Sequence, residues 1–140
     1  MADTFQLEVA TPDRLFVNEQ VTSAELPAKN GYMSILAGHA PLLSALGAGV
    51  LSYEGGGGPH VLAIAGGFVE VFDNHVRVLA DHAELAKDIQ TSQAQQELEQ
   101  ANEALRNADS EAASTAALQA AQRAQARIDA AEQGARGTRQ

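Results

Sequence analysis

The sequence predicts an α+β protein: an N-terminal antiparallel β-sandwich of about ten short strands, followed by a C-terminal antiparallel two-helix hairpin. Three observations predict it. Up to Leu85 the apolar residues alternate with polar ones in short runs punctuated by Gly, Pro, Asn and Asp. Beyond Ala86 there is no proline and no glycine until Gly134, and apolar residues recur at helical steps. Between the two lies Gly66 to Ala86, where Phe68, Glu70 and Phe72 alternate with Val69 and Val71. There Asp73-Asn74 marks a turn, and Val76 and Val78 resume the alternation.

The elements follow in order. Phe5, Leu7 and Val9 form a half-buried strand ended by Thr11-Pro12-Asp13. Leu15-Phe16-Val17 is a second, short one. Along the next run Val21, Ser23 and Glu25 face one way and Thr22, Ala24 and Leu26 the other, before Pro27. Lys29-Asn30-Gly31 is a turn, with positive φ expected at Gly31. Tyr32 to Leu36 is a strand, Gly38-His39-Ala40-Pro41 a tight corner, and Pro41-Leu42-Leu43 opens the next run. Val50 to Tyr53, Val61 to Ala65, Phe68 to Phe72 and Val76 to Leu79 complete eight to ten strands, with Gly55 to Gly58 as a mobile loop. Turn signals this frequent argue for a sandwich or flattened barrel rather than βαβ units.

Asp88 is the expected N-cap of the first helix. Ala94, Leu98, Ala101, Leu105 and Ala108 form its seam, and Ala117, Ala121, Ala124, Ile128 and Ala131 that of the second. Ser110, after a break at Asn107, is available to cap the second helix. Two helices of about 20 residues, each about 30 Å long, make a hairpin whose alanine-rich seams permit close approach. The domain boundaries are therefore 1–86 for the sandwich, 87–133 for the hairpin and 134–140 for a flexible tail. Residues 87–111 carry 2 basic and 6 acidic side chains, and residues 112–140 carry 4 arginines against 2 acids, so the two helices are charge-complementary.

Composition excludes several function classes. The 140 residues carry a net charge of −9, and residues 1–84 hold 10 acidic side chains against 3 basic. Such a surface repels nucleic acid and anionic lipid. There is no cysteine, hence no disulfide, thiol catalysis or cysteine-ligated metal. No signal peptide or membrane-span pattern is visible, so membrane association has to run through another protein. Gly55 to Gly58 lacks the Gly-Lys-Ser/Thr ending of a phosphate loop. His39, His60, His75 and His82 have no metal-ligand spacing, and His39 is expected to hydrogen-bond backbone at its corner. Glu70 shares a face with Phe68 and Phe72; it reads as an edge-strand charge that blocks aggregation, or else as a carboxylate with a raised pKa. Arg123 and Arg127, at i and i+4, are solvated helix residues or an arginine pair for acidic groups on a partner. No nucleophile, base and orienting group assemble, so no catalytic residue, cofactor or metal is assigned.

The run Gly31-Tyr-Met-Ser-Ile-Leu-Ala-Gly-His-Ala-Pro-Leu-Leu resembles the GxxGILPGHAPLL segment of the epsilon subunits of F-type ATP synthases. Ala65-Gly-Gly-Phe-Val-Glu-Val, Val76-Arg-Val-Leu-Ala and Ala83-Glu84 resemble the same family's SGGFLEV…VTVLA…AE segment. Leu7, Val9, Pro12, Phe16, Val21 and Pro27 fall in register as well, and the helical half matches in kind. The resemblance implies a ten-stranded sandwich with a helical hairpin, acting as a non-catalytic rotor part of the central stalk of a proton-translocating ATP synthase. It implies the gamma subunit, the ring of c subunits and the alpha/beta catalytic head as partners. It places the protein on the cytoplasmic face of the bacterial inner membrane, held there indirectly. Carried onto this chain, Lys29, Asn30, Gly31, Tyr32, Met33 and His39 fall at the c-ring contact, and Arg123 and Arg127 at the head. The hairpin either lies on the sandwich or swings toward the head and blocks ATP hydrolysis. Ser34 and Ala37 replace the family's usual Gly and Pro, and Tyr32 stands where an acidic residue is common. Ile89-Gln90-Thr91-Ser92-Gln93-Ala94 has Gln in place of both Asp and Arg of the I/L-D-x-x-R-A motif, so ATP binding is not carried over. A scaffold with a coiled-coil tail and a small nucleotide-binding protein are the rival readings.

Overall fold

A computed structural model describes residues 3–137. Eight strands come first: β1 Phe5–Ala10, β2 Leu15–Val21, β3 Ser23–Ala28, β4 Gly31–Leu36, β5 Leu42–Ala45, β6 Ala48–Gly55, β7 Gly58–Phe72 and β8 His75–Leu85. A 3₁₀ turn at Ala86–Asp88 leads to α1, Thr91–Arg106, and α2, Glu111–Gly137. Hydrogen bonding joins the strands in the order β2-β1-β8-β7-β6-β3-β4, with β5 also on β7.

This one sheet becomes two layers because β7 and β8 are long enough to serve in both. The first half of β7, Pro59 to Ala65, pairs with β6, while Phe68 to Val71 pairs with β5. Likewise His75 to Leu79 of β8 pairs with β1 as well as β7, and Ala83 to Leu85 pairs with β7. The fold lies at Gly66-Gly67, with φ of +76° and +114°. A Cβ on Gly67 would sit 2.1 Å from the Leu79 carbonyl oxygen, so only glycine fits where β7 crosses so close to β8. Two runs that the sequence separates, Val61 to Ala65 and Phe68 to Phe72, are thus one strand. Both layers turn their apolar residues inward onto one core that includes Phe5, Leu7, Leu26, Ile35, Leu51, Leu62, Ile64, Val69 and Val78.

The antiparallel expectation holds for every pair but one: β1 runs parallel to β8. The continuous alternation expected from Val21 to Leu26 is broken at Thr22, so Val21, Ala24 and Leu26 are all buried. Thr22 leaves the ladder and donates its N–H to Glu54 O at 2.8 Å. Gly55 to Gly58 is not a mobile loop; β6 and β7 pair down to Gly55 and Gly58 around a two-residue turn. Asp73-Asn74 turns as expected, with φ of +50° and +60°.

Asp88 does not cap α1. It closes the 3₁₀ turn, where Ile89 N–H donates to Ala86 O at 3.2 Å, and Gln90 holds the N-cap position without a side-chain bond. Ser110 does cap α2: its Oγ accepts from Ala113 N–H at 3.0 Å. The tail assigned to 134–140 is helical as far as Gly137, while 138–140 lie outside the described residues. Gly134 meets Ala86 so closely that a Cβ there would be 2.8 Å from the Ala86 Cβ, which gives α2 a reason to continue. At 27 residues α2 spans about 40 Å.

Of the α2 seam, Ala117, Ala121, Ala124 and Ile128 are buried as expected. A second buried set, Ala126 and Ala130, was not marked by the sequence reading. Ala130 packs with Val50 and Ala63 on the outer face of β6 and β7. It is α2 that lies on the sandwich, and α1 is held chiefly through α2.

Candidate functional site

The residues singled out in the sequence fall into three places. At the β3–β4 corner, Lys29, Asn30, Gly31 and Tyr32 are exposed and Met33 is half-buried. Lys29 N–H donates to Ala45 O at 3.0 Å, which fixes the corner to β5. The Tyr32 ring reaches across Gly49, whose missing Cβ would lie 2.5 Å from the phenol oxygen. That oxygen accepts the Val50 N–H at 2.8 Å, a donor that β3 does not reach.

His39 is not part of that corner. It lies beyond the other end of the six-residue β4, roughly 17–20 Å away. Its Nδ1 donates to Ala40 O at 2.8 Å, the backbone bond expected of it. Beside it Gly38 N–H donates to Asn74 Oδ1 at 2.9 Å, and Asn74 Nδ2 donates to Thr4 O at 2.7 Å, so this corner is tied to the β7–β8 turn and the N-terminal segment.

The third place is the dock of the hairpin. Arg127 projects from α2 into a crevice beside Ala63, Ala65 and Ala126, with a side chain only 11% exposed. Its Nε donates to Glu84 Oε1 at 2.8 Å and its Nη2 to Glu84 Oε2 at 3.4 Å, a two-pronged pairing with β8. Its Nη1 donates to Glu97 of α1. Burial acts to lower the Arg127 pKa, and Glu84 and Glu97 more than reverse that, so it stands above its ordinary value. Arg123 lines the same crevice one turn earlier, is exposed, and has no ion pair among the described residues. The two arginines therefore differ: one is committed within the chain and the other faces solvent. Nearer the C-terminal end of α2 a wider crevice of about 590 Å³ remains, lined by Tyr53, His60, Leu85, Lys87, Ile89 and Ala131 among others.

A fourth surface was missed by the sequence reading. On the outer face of the layer without helices, Leu43, Phe68, Phe72 and Leu79 are 71%, 57%, 41% and 53% exposed. Phe68 pairs directly with Leu79, and Leu43 with Glu70. Outer faces of sandwiches are ordinarily polar, and an apolar cluster here is the mark of a contact surface. Glu70 is not an edge-strand charge: β7 lies between β8 and β5, and Glu70 sits 3.7 Å from Arg77, which is 3.5 Å from Glu8. The signal was present in the sequence. Phe68 and Phe72 share parity with Glu70, and the inward positions between them hold Val69 and Val71.

Residues 4–86 match the family described as "ATP synthase, Delta/Epsilon chain, beta-sandwich domain". Over 94% of its length the chain is 46% identical to the ATP synthase epsilon chain of Solibacter usitatus, covering 98% of that relative. Among solved structures it is similar to a chain of the Euglena gracilis mitochondrial ATP synthase, with TM-score 0.75, 25% identity, and 85% of this chain and 76% of that one covered. It shares its fold with a chain of the Tetrahymena thermophila mitochondrial ATP synthase central stalk and c-ring structure, at TM-score 0.67 and 16% identity over 93% and 98% of the two chains. The chain belongs to the epsilon-chain family of ATP synthases.

Proposed function

We propose that this chain is a rotor subunit that couples the c-subunit ring of a proton-translocating F-type ATP synthase to its catalytic head, and that its hairpin restrains ATP hydrolysis. One observation carries the proposal. The two outer faces of the sandwich are finished differently: one is covered by a helix held through small side chains and an ion-pair cluster, and the other is bare and apolar.

The bare face, with Phe68 and Leu79 at its centre, is the surface for the gamma subunit. The Lys29 to Met33 corner is the surface for the c ring, and Tyr32 offers its ring there rather than a charge. His39, at the far end of β4 and bonded to its own backbone, keeps a structural role. The covered face is the resting place of the regulatory arm. Burying a methyl-sized group contributes about 0.8 kcal/mol, against roughly 1.5–3 for a Leu, so a dock lined by Ala63, Ala126 and Ala130 is weak for its length. A difference of about 1–3 kcal/mol between docked and extended arms is enough to regulate. Extended, α2 brings Arg123 and Arg127 to acidic groups on the alpha/beta head. No helix among the described residues is long and apolar enough to cross a membrane, and attachment at the cytoplasmic face of the inner membrane runs through the complex.

The test is co-purification. The tagged chain is expected to bring down gamma and the catalytic subunits from its native membrane, and the pair Phe68→Asp and Leu79→Asp to lose gamma while keeping a folded sandwich by circular dichroism. Recovery of gamma undiminished by the double variant would remove the bare face from the interface.

A further inference from the structure

We propose that Arg127 is the latch of the docked hairpin, and that its two carboxylate partners hold two different joints. Glu84 belongs to β8, so its pairing with Arg127 exists only while α2 lies on the sandwich. Glu97 belongs to α1, so its pairing exists only while the two helices lie against each other. One guanidinium thus fastens the hairpin to the sandwich and the hairpin to itself.

The surroundings make this pairing decisive for the dock. Besides Glu84, the crevice that holds Arg127 is lined by Ala63, Ile64, Ala65, Ala83 and Ala126, with His82 and Arg123 as its other polar groups. A charge held there without a carboxylate is unfavourable, and a carboxamide in place of Glu84 removes the sandwich's carboxylate, whereas one in place of Glu97 leaves the Glu84 pairing intact. The alanine contacts of the dock are non-directional and permit sliding, whereas a forked pairing at 2.8 and 3.4 Å fixes one register of α2 on β8. A consequence is that Arg127 is not available to any outside partner while the arm is down, and Arg123, exposed on the same side of α2, is. This refines the regulation proposed above and rests on it only for what the released arm does. The latch itself belongs to the chain alone.

The experiment is hydrogen exchange on the isolated full-length chain, read by mass spectrometry over α1, α2 and the strands. An alanine-rich helix is marginal once it leaves its neighbour, so α2 amides report docking. Arg127→Gln is expected to speed exchange in both helices by roughly tenfold, allowing for the partial exposure of the two glutamates. Glu84→Gln is expected to do the same, because α1 is held through α2. Glu97→Gln is expected to speed α1 while α2 keeps its protection. Peptides from β1, β2 and β5 should be unchanged in all three, which confirms a folded sandwich. Unchanged α2 exchange in Arg127→Gln overturns the latch. Loosening by Glu97→Gln but not by Glu84→Gln overturns its sandwich half. Loss of α2 protection in Glu97→Gln overturns the division into two joints. None of these readings depends on hydrolysis, so a latch that opens as expected beside an arm that does not inhibit would separate the two proposals.

Discussion

At Gly67 the backbone of β7 passes within reach of β8, and a Cβ would meet Leu79 O at 2.1 Å with φ already at +114°. Gly67→Ala is therefore expected to cost about 3 kcal/mol or more, read as a fall in the urea midpoint. An unchanged midpoint would mean that the two layers do not turn there. At Gly49 the requirement is different, because the Tyr32 phenol fills the space of the missing side chain and accepts Val50 N–H. Tyr32→Phe is expected to cost about 1 kcal/mol in the same assay. Tyr53 adds a pH signature. Burial, and then the nearby Glu19 charge, raise its pKa above the ordinary 10.0. A raised folded-state value means that its contribution is fully present below about pH 10 and is lost as pH rises through the folded-state pKa. Between pH 9 and 11 the midpoint should fall in the wild type and fall less in Tyr53→Phe. Equal slopes would show that burial of this phenol is not linked to folding.

Among the elements, α2 is where sequence and structure inform each other most. Its cap at Ser110 and the seam Ala117, Ala121, Ala124 and Ile128 were legible, because capping and helical spacing are local. The second stripe, Ala126 and Ala130, was not. In a helix so rich in alanine every face looks equally apolar, and only the sheet beneath decides which one is buried. The same limit explains the strands. Alternation marked nearly all of them and placed the Asp73-Asn74 turn, but a glycine pair reads as a break whether the chain stops or merely folds over, so β7 appeared as two. The parallel pairing of β1 with β8 joins residues some seventy positions apart and leaves no local trace. Arg127 was picked out by its spacing from Arg123, yet its partners come from two other elements: Glu97 was legible only within the charge balance between helices, and Glu84, on β8, lay outside that balance. Two substitutions check α2. Ser110→Ala is expected to cost about 1 kcal/mol of local stability, seen as faster exchange over residues 111–114. Ala130→Leu is expected to overpack the fully buried contact with Val50 and Ala63 by about 1–3 kcal/mol and lift the hairpin, so that α2 loses protection while β1 does not. Retained protection in Ala130→Leu would mean that α2 does not rest on β6 and β7.

For the whole molecule, the division of labour follows from what each half buries. The sandwich closes a continuous core of Val, Leu, Ile and Phe and has a stiff frame for carrying load. The hairpin rests on that frame through alanine contacts and one forked ion pair. In the function proposed above, the bare face is the permanent attachment and the hairpin-covered face the reversible one. The most direct measurement is ATP hydrolysis by the assembled membrane complex carrying this chain either whole or without residues 88–140. Removal of the hairpin is expected to raise hydrolysis several-fold while gamma and the catalytic subunits still assemble. Assembly intact with hydrolysis unchanged would contradict the account of the hairpin as a regulatory arm.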